Sequence, residues 1–352
     1  MSEPVPRIAS LDALKALLIV MVIAIHANVP ETLTDPQLRE WVGLITSTIA
    51  VPGFFWIDGF IFGAKLGDSV KVGVAKTIVT GWRRLLLPWL IFSIVYTAMR
   101  VLLAASGIGQ SPIDSDTQPA IAAFANAVWY SQSAAQLYFL PTLLLVRIAA
   151  SAMANSLATL DARIILGVAI GLGHLFHVYI GPWYEATVRP PGEDPLQHVL
   201  WGLGFFLLGI ACRRLQFTRL TSSTLGAIAI GGLGLAWLAQ SSPAGWYYFQ
   251  LSYLLVATWT VLRIRHFSPL LLAVGRRTMG IYLLHAPLIL VASRRWWLES
   301  AQMTDLPAYI LTIATTLGFS LVATLIIERI GWGGWLLGQF GNSGIRRAGK
   351  KV

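Results

Sequence analysis

Charge is what this sequence has least of. Asp, Glu, Lys and Arg make up 12% of the residues, about half the share of an ordinary soluble domain. Hydrophobic residues fill 56% of positions and the mean hydropathy is +0.67, so a soluble reading is excluded. The length would allow two or three soluble domains, but no stretch has a globular composition, and one membrane domain is expected over 1–352. Cysteine is nearly missing too. The single thiol, Cys212, excludes a disulfide framework and any multi-cysteine metal site, and its apolar surroundings make it a packing residue. No Gly-rich phosphate loop ending in Lys-Ser/Thr occurs, no Gly-x-Ser-x-Gly elbow and no His-Glu-x-x-His. P-loop chemistry, serine-nucleophile hydrolysis and zinc proteolysis are therefore set aside. There is no low-complexity tract, and the second half does not repeat the first.

What is present is a series of apolar runs, at about 11–29, 42–64, 85–106, 134–154, 163–180, 196–212, 221–239, 247–262, 278–293 and 306–327. Each approaches the ~20 residues that cross a bilayer as helix. Residues 11–29 lack a clean small-x-small cleavage site and contain Lys15, so they read as a retained first helix rather than a signal peptide. The expected fold is an all-α integral membrane protein of about ten transmembrane helices (about 11–327) in one bundle, with a short basic cytoplasmic tail over 329–352.

The net charge of +10 fits this better than it fits nucleic acid, because Lys and Arg collect in cytoplasmic loops. With both termini inside, the inner segments hold Arg7, Lys65, Lys71, Lys76, Arg83, Arg84, Arg213, Arg214, Arg263, Arg276, Arg277 and the basic tail. The outer ones hold only Arg39, Arg189, Arg294 and Arg295, together with most of the acids, Glu31, Asp114, Asp116 and Glu193 among them. The alternation predicts a multi-pass protein of the bacterial inner membrane, N-in and C-in.

Ionisable residues inside spans are costly and so mark candidate sites. The first run carries Asp12, Lys15 and His26. At ~100° per residue the eleven residues from Lys15 to His26 make three turns, which puts both on one helix face about 16 Å apart. That places a cation near the cytoplasmic end and an imidazole toward the other. Lys15 could instead pair with Asp12. His285 lies in the ninth run with Tyr282 one turn before it. Asp58, within Phe54-Phe55-Trp56-Ile57-Asp58-Gly59-Phe60, needs a cationic or hydrogen-bonding partner, with Lys15, Arg84 and His285 the candidates. Arg100 and Arg147 read as snorkelling side chains, and Glu328 as the partner of a loop arginine. His174 and His177 have a spacing that could bind metal, but no acid or cysteine completes the set, so no metal is expected. Trp129, Tyr130, Trp183 and Tyr184 in the outer loops read as interface anchors or a sugar platform.

In their order along the chain these residues resemble acyltransferase family 3, the polytopic O-acyltransferases of bacterial surface glycans and related periplasmic acceptors. The resemblance rests on Leu11-Asp12, then Lys15 and His26; on Phe54-Phe55-x-x-Asp58-Gly59-Phe60; on Arg83-Arg84 leading to Pro88; on Tyr138-Phe139-Leu140; on Ile281-Tyr282-x-x-His285; and on Glu328. It covers nearly the whole chain. Two departures stand out: Asp58 where the family has Ser, and adjacent arginines where Arg-x-x-Arg is common. The resemblance implies a cytoplasmic acyl-CoA donor, usually acetyl-CoA, used as co-substrate with no tightly bound cofactor. It also implies a hydroxyl acceptor on a periplasmic or lipid-linked carbohydrate, with polysaccharide-assembly proteins as possible partners. Under it His26 is the general base, Tyr282 or His285 the oxyanion donor, Asp58 a further site residue, and Lys15, Arg83 and Arg84 hold the CoA phosphates. A secondary transporter, or a membrane protein that binds a glycan without chemistry, is the alternative, though the two halves show no matching interrupted helices.

Overall fold

In a computed structural model the described residues are 8–30, 32–67, 73–107, 110–113, 119–188, 192–238, 242–330 and 332–339. Arg7, Glu31, Lys71, Asp114, Asp116, Arg189 and the basic tail beyond 339 lie outside them. Helices account for most of the described residues, with no strand among them. All ten apolar runs fall on helices.

Among the described residues, six helices are long and apolar enough to cross a membrane. These are α1 (Ala9–Ala27), α2 (Pro36–Gly67), α3 (Val74–Ala105), α5, which continues a 3₁₀ turn over Ala135–Tyr138 as Phe139–Ala152, α7 (Ala162–Thr187) and α14 (Asp305–Arg329). The short helices α4 (Ala120–Trp129) and α6 (Ala154–Thr159) flank α5. Between α7 and α14 come α8 (Val199–Arg214), α9 (Ser222–Leu238), α10 (Pro243–Arg263), α11 (Pro269–Arg276), α12 (Thr278–Leu284) and α13 (Leu290–Arg295). A last turn, α15 (Gly333–Leu336), follows α14.

α1 is the hub. Apart from Asp12, Lys15 and His26 it is largely apolar, as a helix enclosed by others should be, and Ala13, Ala16, Leu18, Ile19, Ile23 and Ala27 are fully buried. α2, α10, α11, α12 and α14 all pack against it. Small residues bring backbones together where two helices cross. A Cβ on Gly59 of α2 would lie 1.9 Å from the Phe206 carbonyl oxygen, and one on Gly209 of α8 would lie 2.2 Å from that of Trp56. Gly275 likewise lets α11 sit against the Asp12 carbonyl.

Prolines open the helical ladder where the site lies. Pro88 lacks the N–H that would reach the Arg84 carbonyl, and the chain at Gly338 (φ +70°) passes against that oxygen, 2.4 Å from a notional Cβ. Between α12 and α13, Pro287 cannot bond the carbonyl of Leu283, and Ala286 before it is extended (φ −133°, ψ 151°). Carbonyls around this break accept from side chains: Leu283 from the Tyr96 hydroxyl at 2.6 Å, Ala286 from Gln136 Nε2 at 2.9 Å, and Tyr282 from His285 Nδ1 at 2.8 Å.

Candidate functional site

Three adjoining cavities run along α1, α2, α5 and α12. The largest, about 360 Å³, lies at the Lys15 end and is lined by Lys15, Asp58, Arg84, Arg147, Arg276 and Tyr282 among others. A second, about 260 Å³, shares Asp58, Ile61, Arg84 and Arg147 with it and adds Lys65 and Lys76. Six cations therefore line this pair of cavities against one carboxylate, Asp58. The third, about 190 Å³, holds His26, Gln136, Tyr138 and Glu193. Phe54, Phe139 and Tyr282 line both the first and the third. These three side chains form an aromatic waist between a cationic chamber and an imidazole chamber.

The charges in the cationic chamber are organised by a few pairs. Arg147 of α5 grips Asp58 of α2 as a fork, with Nε to Oδ2 and Nη2 to Oδ1 both at 2.5 Å. The partner expected for Asp58 was Lys15, Arg84 or His285, and snorkelling was expected for Arg147; the structure corrects both. Helix periodicity fixes a side chain's face but not which residue of another helix it meets. Lys15 does pair with Asp12, Nζ to Oδ1 at 3.3 Å, and Arg276 approaches the other oxygen at 3.7 Å. Lys15 still lines the cavity, so the pairing does not withdraw it from the wall. Glu328 takes Arg277 at 2.9 Å, the loop-arginine partner expected for it, and Gln339 at 2.8 Å. Leu337, Gly338 and Gln339 thereby close one wall of the largest cavity. Arg84 lines both cationic cavities, whereas Arg83 is exposed and lines none of the three.

The imidazole chamber brings together residues from both ends of the sequence. The ring centroids of His26 and His285 are 5.5 Å apart, and those of Tyr282 and His285 6.0 Å. His285 is fully buried. Its Nδ1 meets a carbonyl oxygen, which can only accept, so the proton of the neutral ring is on Nδ1 and Nε2 carries the lone pair. The Tyr282 hydroxyl donates to the Gln136 carbonyl. Neither residue thus offers a free donor for an oxyanion in this arrangement, and an oxyanion role would require exchanging one of these bonds.

Three further residues around His26 were given no site role by the sequence reading. Glu193 lines the chamber and accepts from His198 Nε2 at 3.1 Å. The Tyr138 ring lies tilted by 40° against that of His198, with centroids 4.5 Å apart. Gln136 ties α12 to the start of α5. Glu193 gave no site signal because it sits in a loop without periodicity; for Gln136 the available signal was the Ala286-Pro287 pair, since a proline leaves a carbonyl in need of another donor. Of the outer-loop aromatics, none of Trp129, Tyr130, Trp183 and Tyr184 lines the His26 chamber; the Tyr184 hydroxyl is bonded to Asp194.

A family model described as an acyltransferase domain matches residues 8–325. No curated protein and no solved structure matches the chain.

Proposed function

This chain belongs to acyltransferase family 3, and from that membership we propose a membrane O-acyltransferase that moves an acyl group, acetyl in the first instance, from acyl-CoA to a carbohydrate hydroxyl. The observation that carries the reading is the pair of unlike chambers meeting at Tyr282, one cationic and one holding His26. In the proposed topology about ten segments span the bacterial inner membrane with both termini in the cytoplasm. The cationic chamber then faces the cytoplasm, where CoA is found, and His26 faces the periplasmic acceptor.

CoA is polyanionic, and Lys and Arg are the side chains that hold phosphates. Lys15, Arg84 and Arg276 suit that task from the cavity wall. Arg147 is tied up by Asp58, so its charge is largely neutralised before any ligand arrives. The thioester reaches the waist, where the acceptor hydroxyl attacks its carbonyl carbon. His26 takes the hydroxyl proton as the C–O bond forms, since imidazole has a suitable basicity and a neutral hydroxyl is too weak a nucleophile. The C–S bond then breaks, the ester leaves on the acceptor side, and the CoA thiolate is protonated. Overall the hydroxyl proton has been exchanged for an acyl group.

The test is purified protein in detergent with radiolabelled acetyl-CoA and a panel of free glycosides. Release of CoA together with label in a glycoside ester is expected. Absence of both hydrolysis and transfer, in protein that still binds CoA, would refute the enzymatic reading.

A further inference from the structure

His285 is held in a state that a merely structural histidine does not need. Its ring is completely enclosed, its Nδ1 proton is committed to the Tyr282 carbonyl, and its Nε2 lone pair has no hydrogen-bond partner although it is buried. A buried acceptor without a donor is a standing penalty, so a donor is called for. The ring nearest to it is His26, tilted by 43° at 5.5 Å between centroids.

We propose that His285 is the positioning residue of the catalytic base, its Nε2 accepting the N–H of His26 on a small turn of that ring or through one bridging water. The proposal rests on the acyltransferase reading for what His26 does, but not for the hydrogen bond itself. A neutral imidazole has one N–H and one lone pair, and fixing the N–H fixes where the lone pair points. An acceptor on one nitrogen therefore aims the other nitrogen of His26 at the acceptor hydroxyl and makes it more nucleophilic. The chain of restraint starts just before the break at Ala286-Pro287: the Tyr282 carbonyl fixes the tautomer of His285, and His285 fixes that of His26. Hydrogen bonds around a catalytic base are often loose until substrate is bound. The competing orienter is Glu193, which lines the same chamber but already accepts from His198.

Two substitutions separate the two ring nitrogens. Asn at 285 keeps a donor where Nδ1 stands and loses the acceptor; Gln carries an amide oxygen near the place of Nε2. Each folded variant is compared with the unmutated protein in acetyl transfer. Each is also compared in the rate at which diethyl pyrocarbonate modifies His26 at pH 7, read by peptide mass spectrometry. His285→Asn should lose ~10–100-fold in transfer, the range seen for partners that orient a functional histidine. Carbethoxylation of its His26 should slow in parallel, and His285→Gln should keep at least tenfold more of the transfer than His285→Asn. The reverse order, or two variants both equal to the unmutated protein, would overturn the proposal. So would slowing by Glu193→Gln but not by His285→Asn. If the unmutated protein transfers nothing, the acyltransferase reading fails, yet the carbethoxylation order still decides the hydrogen bond. If neither variant folds, ¹⁵N spectra of histidine-labelled unmutated protein decide, and a proton on His285 Nε2 would overturn the proposal.

Discussion

The Asp58–Arg147 fork offers the sharpest quantitative test of how the two cationic cavities are held. Exposed ion pairs contribute about 0–1 kcal/mol, whereas removing one member of a buried pair costs about 3–5 kcal/mol. Here the arginine and aspartate side chains are 29% and 18% exposed, and both contacts are short and charge-assisted. The pair therefore lies between those limits, and a coupling of about 2 kcal/mol is expected. Asp58→Ala, Arg147→Ala and the double variant should be unfolded by titrating SDS into mixed micelles. Each single change leaves a charge facing a cavity without its partner, so the double should be about 2 kcal/mol more stable than the sum of the singles implies. The same variants should move acyl-CoA affinity in opposite directions. One unit charge at 4 Å is worth about 1 kcal/mol even at the dielectric of water, about fivefold in Kd. Asp58→Ala should tighten binding by about that factor and Arg147→Ala should weaken it. Singles that add up to the double within about 0.5 kcal/mol, with no opposed change in affinity, would refute the idea that the pair structures the site.

Three other outcomes are expected. His26→Ala should lower acyl transfer by roughly a hundredfold or more while eluting as unmutated protein on size exclusion; retained activity would move the base elsewhere. Lys15→Ala should weaken CoA binding, more so at low salt than at high, and unchanged affinity would leave Lys15 only its bond to Asp12. Gly59→Ala should impair folding, because its Cβ would meet the Phe206 carbonyl at 1.9 Å in a backbone crossing that cannot give way; normal yield and thermal stability would contradict that crossing.

Local relations were legible in the sequence and distant ones were not. The spacing of Lys15 and His26 placed them on one face of α1, and the structure sets them in adjoining chambers joined at Tyr282. The Asp12–Lys15 contact was likewise readable, since both residues stand on one helix. The Asp58–Arg147 fork joins positions 89 residues apart, and nothing in either helix announces the other. The ten apolar runs all fall on helices, yet among the described residues only six helices meet both the length and the apolarity needed to span. α8 has 16 residues, α10 is rich in aromatic and polar side chains, and the run at 278–293 is broken by Ala286 and Pro287. Composition reports that a segment is apolar, but not where proline interrupts its ladder or what the freed carbonyls will bind.

The waist of Phe54, Phe139 and Tyr282 bears on a hazard common to proteins hollowed from two directions. Under the proposed topology, chambers that joined freely would let water and ions pass and would leak the proton gradient across the membrane. Packed aromatic edges, such as Phe54 on Phe139 at 5.9 Å and Phe139 on Tyr282 at 5.9 Å, favour a dry seal there. Under the proposed topology, chemistry at that seal lets the acyl group change compartments without either co-substrate following it. The insulation of the membrane and the transfer reaction would then depend on the same three rings, and enlarging the waist to admit a bulkier acyl chain would raise ion conductance as well.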